Sequence, residues 1–169
     1  MADPRFARSV LAICSHDENG ALGINIGETV DGISFHGILK QFDIDPGKAP
    51  DCSVFLGGPM ETQRGFIIHS LDMNLSDTLQ VGECWGLSSS IDMLKAIAQG
   101  RGPKEWIIAL GYSGWGEGQL ESELTQNGWS IAEGSPDWLY EKSSDDKWLM
   151  AWQALGIDPM KLSAGFGSA

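Results

Sequence analysis

Basic residues are scarce in this chain: its 169 residues hold 11 lysines and arginines against 23 aspartates and glutamates, a formal charge of −12. Proteins bind a phosphate backbone largely through Lys and Arg displacing counterions, so direct nucleic-acid binding is excluded as the expected activity. There is also no basic stripe and no helix-turn-helix pattern. Cysteine is sparse as well. Cys14, Cys52 and Cys84 are odd in number and widely spaced, form no CxxC pair and follow no signal peptide. A disulfide framework is therefore excluded, and a reducing, cytoplasmic setting is expected. The longest apolar runs, such as Trp106 to Leu110, fall far short of the about 20 residues that cross a bilayer, so no membrane partner is expected. His16, His36 and His69 have no metal-ligand spacing and there is no HExxH, so neither a metal nor another cofactor is implied.

What is present suits a single domain spanning residues 1–169: 42% hydrophobic content supports one sizeable core, and no linker, repeat or low-complexity segment divides the chain. All seven tryptophans lie in the second half, which should carry the heavier aromatic packing. Ser9 to Cys14 reads as a strand and Ala21 to Ile26 as its hairpin partner, across the turn residues Asp17-Glu18-Asn19-Gly20. Ser34 caps a helix through Phe42, with Phe35, Ile38, Leu39 and Phe42 on one side. A loop from Asp45 to Asp51 leads to a strand, Ser53 to Leu56, that stops at Gly57-Gly58-Pro59. Arg64 to Ser70 and Thr78 to Leu87 read as strands joined by a polar loop, Asp72 to Asp77.

A helix starting at Ser89 or Ser90, with Ile91, Leu94, Ile97 and Ala98 at helical spacing, ends at Gly100. Trp106 to Tyr112 is almost continuously apolar, which requires cover on both faces and makes it the central strand. Glu117 to Gln126 is a helix, Trp129 to Ala132 a short strand, and Asp145 to Leu155 a last helix burying Trp148, Met150, Ala151, Trp152 and Leu155. The tail from Ser163 is expected to fray. Strands followed by interspersed helices give an α+β fold: a bent mixed sheet flanked by helices.

The richest segment is GYSGWGEGQLESEL, Gly111 to Leu124, where a glycine-rich turn carrying Tyr112 and Trp115 opens into an acidic helix. Together with DPRFARSV from Asp3, CSHDENGALG from Cys14, GGP at Gly57 to Pro59, RGFIIHS from Arg64, Asn127, Trp129 and the closing Leu155-Gly156-Ile157-Asp158, it resembles the AlgH/YqgE family over nearly the whole chain. The resemblance implies a cytosolic bacterial protein with a largely antiparallel sheet bent towards a partial barrel. It also implies a family without an established biochemical activity, to which a transcriptional-regulator label is attached through alginate production. With no DNA-reading element, that label leaves only an indirect regulatory role.

Two departures stand out. Members usually carry a short apolar strand ahead of the DPxF block, whereas this chain begins Met1-Ala2-Asp3: either a neighbour's edge is open for pairing, a homodimer included, or the start is truncated or misassigned. Gly27-Glu28-Thr29 stands where the family commonly reads Asn-Arg-Pro, replacing a cation by an anion.

Candidate site residues follow from the motifs. The Gly111 to Gly118 loop resembles a phosphate cradle between strand and helix. It lacks the Lys-Ser/Thr of a P-loop and the spacing of a dinucleotide fingerprint, and Glu117, Glu121 and Glu123 put negative charge where phosphate would sit, so a structural turn is the better reading. Tyr112, Gly114, Trp115, Gln119 and Glu121 then either present a surface to a ligand or protein partner, or Trp115 plugs the core while the glycines permit close packing. His69 is a general-base candidate if it faces Gly57, Gly58 and Pro59; the alternative is a histidine satisfied by a backbone carbonyl. Cys14, two residues from His16 along a strand, is a candidate reactive thiol, against the reading of an inert buried cysteine. Three functions are therefore expected, in this order: a non-enzymatic adaptor or regulator with a protein partner, a small-molecule sensor or enzyme with a pocket of Gly58, His69, Tyr112 and Trp115, and a thiol redox protein.

Overall fold

The computed structural model describes residues 6, 8–140 and 144–159, the side chains of 144 and 145 apart. The expected fraying tail from Ser163 lies outside them. Strands β1 (Leu11–Asp17) and β2 (Gly20–Asn25) form the anticipated hairpin. After β3 (Thr29–Ser34) comes helix α1 (Phe35–Gln41), capped as expected by Ser34, whose hydroxyl accepts from the Gly37 amide at 3.3 Å. Strands β4 (Ser53–Leu56), β5 (Met60–His69), β6 (Leu79–Val81) and β7 (Trp85–Ser88) precede α2 (Ile91–Ala98), which Ser90 caps and after which Gly100 adopts φ 70°. The chain then enters β8 (Trp106–Gly116), α3 (Gln119–Thr125), α4 (Asp137–Tyr140) and α5 (Ser144–Ala154).

β8 is the central strand. On one side it pairs antiparallel with β5, from His69↔Trp106 to Met60↔Tyr112. On its other side it pairs in parallel with β4 at Ala109 and Leu110, then antiparallel with β2 from Ser113 to Gly116. The change of partner falls at Gly111, whose φ of 73° breaks the strand's alternation and bends it from one neighbour to the next. β1-β2-β8-β5-β7-β6 therefore curls until its end strands β1 and β6 meet, while β4 and β3 branch off β8. All pairs but β4 with β8 are antiparallel, so the fold is α+β with a nearly closed, largely antiparallel barrel.

Alternation sorts the side chains into two cores. Phe66, Ile68, Ile107 and Ala109 face the barrel interior with Ala12, Cys14, Ile24 and Leu87. Their neighbours Ile67 and Ile108 face outward, onto Phe35, Leu39, Met93 and Ile97 of α1 and α2. Both faces of β8 are thus covered, which is why its sequence is continuously apolar.

Several elements differ from expectation. β3 reads TVDGIS, an edge strand with no buried residue and with Gly32 at φ 74°, and has no apolar alternation to betray it. Thr78 to Leu87 is two strands, because Gly82 at φ 57° turns β6 back onto β7 as a hairpin. Trp129 to Ala132 forms no strand: the Trp129 indole is bonded to α3 and Ile131 is 70% exposed. Phe42 is the C-cap of α1 and is exposed, and in α2 Met93 occupies the core where Ile91 does not. Trp148, Met150, Ala151, Trp152 and Leu155 are only half-buried, and among the described side chains of α5 the buried one is Lys147.

Candidate functional site

The GGP turn lies against the bend of β8. The Gly57 amide donates to the Leu110 carbonyl at 2.8 Å, and its carbonyl accepts from the Asn25 amide at 2.7 Å. A Cβ on Gly57 would lie 2.2 Å from the Gly111 oxygen, one on Gly58 2.2 Å from the Tyr112 carbonyl carbon, and one on Gly111 2.5 Å from the Gly58 oxygen. The glycines therefore permit backbone-on-backbone contact rather than cradle a ligand. Pro59 is exposed beyond them, and Tyr112 sets its ring edge-on to Phe66, centroids 5.7 Å apart, half-buried at the rim of the interior core. Gly114 is tight too, since a Cβ there would meet Met60 Sδ at 3.1 Å and Tyr112 Cε2 at 3.3 Å.

Trp115 belongs to a third cluster, packed with Ala21 and Leu120 and joined by Leu11, Leu124 and Trp129. Its indole N–H donates to Glu123 Oε2 at 3.0 Å, and that of Trp129 donates to the same oxygen at 2.7 Å. Gln119 clamps the start of α3: its amide donates to Glu123 Oε1 at 3.0 Å while its carbonyl accepts from the Gly116 amide at 3.0 Å. Burial alone would raise the Glu123 carboxyl, but the bonds from Trp129, Trp115 and Gln119 outweigh it and hold the group below its ordinary value. Of the two readings of Trp115, the geometry is that of the core plug. Glu121 points the other way, exposed, with its carboxylate 2.5 Å from His16 Nε2, so α3 is tied to the β1–β2 turn.

His69 is fully buried, six residues along β8 from Tyr112 by its pairing with Trp106, or about 20 Å at strand spacing. It does not face Gly57, Gly58 or Pro59, and the proposed four-residue pocket is not assembled. Its Nδ1 faces the Ser70 carbonyl at 2.9 Å, an acceptor only, so Nδ1 carries the proton in the neutral ring and Nε2 accepts from Ser88 Oγ at 3.0 Å. Ser88 Oγ lies 2.8 Å from Thr78 Oγ1, which accepts from the Leu75 amide at 3.0 Å. The chain of bonds ties the loop before β6 to the sheet, the role of a histidine satisfied by a carbonyl.

Cys14 is buried in the interior core, where its thiol donates to the Ala12 carbonyl at 3.4 Å. Burial pushes it up to about 12, although a hydrogen bond from the Ile24 backbone opposes this. A bulge between Ile13 and Ser15 leaves His16 in solvent and turned to Glu121, so no imidazole supports a thiolate. Cys52, half-buried, is pushed up to about 11 by burial and by the charge of Asp51, and Cys84 is exposed. Among the described residues no three His, Cys, Asp or Glu side chains are grouped to hold a metal ion, and no helix is long and apolar enough to cross a membrane.

The sequence reading missed three polar groups. Lys147 is 2% exposed, Ser113 Oγ is buried without a hydrogen-bond partner among the described residues, and so is the Tyr140 hydroxyl. None carries a sequence signal: a lysine on an amphipathic helix reads as solvated, and the faces of Ser113 and Tyr140 depend on the bend at Gly111 and on α4.

A nearly closed α+β barrel with a glycine-and-tryptophan brace at its rim is the class of protein this architecture defines. The chain belongs to the AlgH-like family: the DUF179 (AlgH-like) family model matches residues 1–160. It is 50% identical to a UPF0301 protein of Novosphingobium aromaticivorans and 47% identical to one of Rhizorhabdus wittichii, each match covering 100% of this chain and 91% of the relative. The solution structure of AlgH from Pseudomonas aeruginosa superimposes with a TM-score of 0.79 at 36% identity, over 100% of this chain and 90% of that one. A Corynebacterium diphtheriae protein shares the fold at a TM-score of 0.69 and 18% identity, over 88% of this chain and 78% of its own.

Proposed function

We propose that the chain is a non-enzymatic adaptor that acts through a protein partner, in the cytoplasm, and that any influence on gene expression is indirect. The observation that carries this reading is how the family motif is used. Tyr112, Trp115, Gln119 and Glu123 are engaged in packing and internal hydrogen bonds, and what the motif turns to solvent is charge. Glu117 and Glu121 stand exposed at the start of α3, and the His16 contact sets Asp17 and Glu18 of the β1–β2 turn beside them. Such a face suits a partner with a basic, hydrogen-bonding surface. Affinity capture tests it, with the wild-type chain and Glu117→Lys/Glu121→Lys compared at low and high salt. A stoichiometric partner should be held at low salt, be lost as salt rises and be missing from the double variant. Equal recovery of the partner by both chains, or repeated recovery of none, sinks the proposal. Support for this reading over a sensor or enzyme comes from the separation of His69 from Tyr112 along β8, and over a thiol redox protein from the burial of Cys14.

A further inference from the structure

Lys147 is a cation placed where the fold gives it almost nothing to bind. Its ammonium reaches from α5 to the barrel, donates one hydrogen bond to the Ile26 carbonyl at 3.2 Å and lies 4.1 Å from the centre of the Phe55 ring. No carboxylate pairs with it among the described residues, so two of its three N–H bonds have no acceptor there. Burying a charge on such terms is costly, and a cation–π contact recovers only part of the lost hydration.

The groups around it do not neutralise it. Glu28 is exposed two residues beyond Ile26, and Asp146 is exposed beside Lys147 on α5. Arg8 stacks over Trp148, the next residue, 4.6 Å from its ring centre. Within the interior core, Cys14 and Tyr140 are both driven towards their neutral forms by burial. The Lys147 amine is lowered to about 8, and burial is its sole cause. Trp148 and Trp152 on the same helix are half-buried, with ring centres 6.0 Å apart.

We propose that α5 is a detachable cover over the Ile26 strand end and the Phe55 ring, and that the charge on Lys147 sets how often it lifts. Undocked, the amine is hydrated and returns to its ordinary value of 10.5, so the undocked state binds more protons than the docked one. Docking therefore strengthens as pH rises from about 8 to 10.5 and is weakest at and below neutrality. Each opening bares the Ile26 carbonyl and the Phe55 ring to solvent.

Pulsed amide hydrogen exchange on the intact chain tests the device, with α2 as internal reference for the pH dependence of exchange chemistry. The opening constant of α5 should fall by about 30-fold between pH 7 and 9.5. Lys147→Met keeps the stem without the charge; it should open less often at pH 7 and show no fall. Lys147→Arg keeps the charge throughout the range and should also show no fall, while opening at least as often as wild type at pH 7. A flat wild-type profile overturns the proposal even if a variant fails to fold, and so does a Met variant that retains the wild-type fall.

Discussion

Glu123→Ala tests how far the glycine-and-tryptophan motif is a brace. The substitution removes the shared acceptor of two indole N–H groups, at 3.0 and 2.7 Å, and of the Gln119 amide. Trp115 is 7% exposed and its N–H cannot turn to water where it sits, whereas Trp129 and Gln119 retain solvent access. A hydrogen bond to a charged group contributes about 1.5 to 3 kcal/mol when the abandoned partner is buried, and less when water replaces it. One full and two discounted bonds give a loss of about 3 kcal/mol, which for a chain of this size lowers Tm by about 6 to 12 °C. Calorimetry or thermal denaturation by tryptophan fluorescence reads it, with the exposed Glu117→Gln as a surface control expected to leave Tm unchanged. The sign with pH follows from the lowered Glu123 carboxyl: its contribution is present above the ordinary value of 4.5 and disappears as pH falls through the lower folded value. The difference between wild type and Glu123→Ala should then shrink under acid. A Tm within about 1 °C of wild type at neutral pH would refute the brace, being under 0.5 kcal/mol on the same scale.

Gly111→Ala should abolish or severely reduce folded protein, because a Cβ would lie 2.5 Å from the Gly58 oxygen at φ 73°; yield and circular dichroism check it. Alkylation at neutral pH followed by mass spectrometry should label Cys84 first and Cys52 more slowly, and Cys14 only in denaturant. Early labelling of Cys14 would revive the thiol reading.

What could be read from the chain alone followed from local patterning. β8 was legible as the central strand because both of its faces are covered, and the caps Ser34 and Ser90 sit directly before apolar helical periods. β3 was not legible: an edge strand with a polar, glycine-containing sequence has no buried face to leave an alternation. The two readings of Trp115 could not be separated because they depend on a single dihedral, the left-handed φ of Gly111, which reassigns the faces of everything after it. Whether His69 faces the GGP turn is not legible in the sequence, since strand order and register decide it, and they put the two at opposite ends of β5. Lys147 was hidden for a related reason, as its burial comes from where α5 docks rather than from its own helix.

The claim that the family motif builds the fold rather than a small-molecule pocket is tested most directly by a thermal-shift screen of the purified chain against nucleotides, coenzymes, thiols and common metabolites. A ligand present at 100 times its dissociation constant stabilises by about 2.7 kcal/mol, or about 5 to 10 °C for a chain of this size. No shift across the panel is the predicted result. A shift of that size, abolished by Trp115→Phe in a variant that remains folded, would contradict the account.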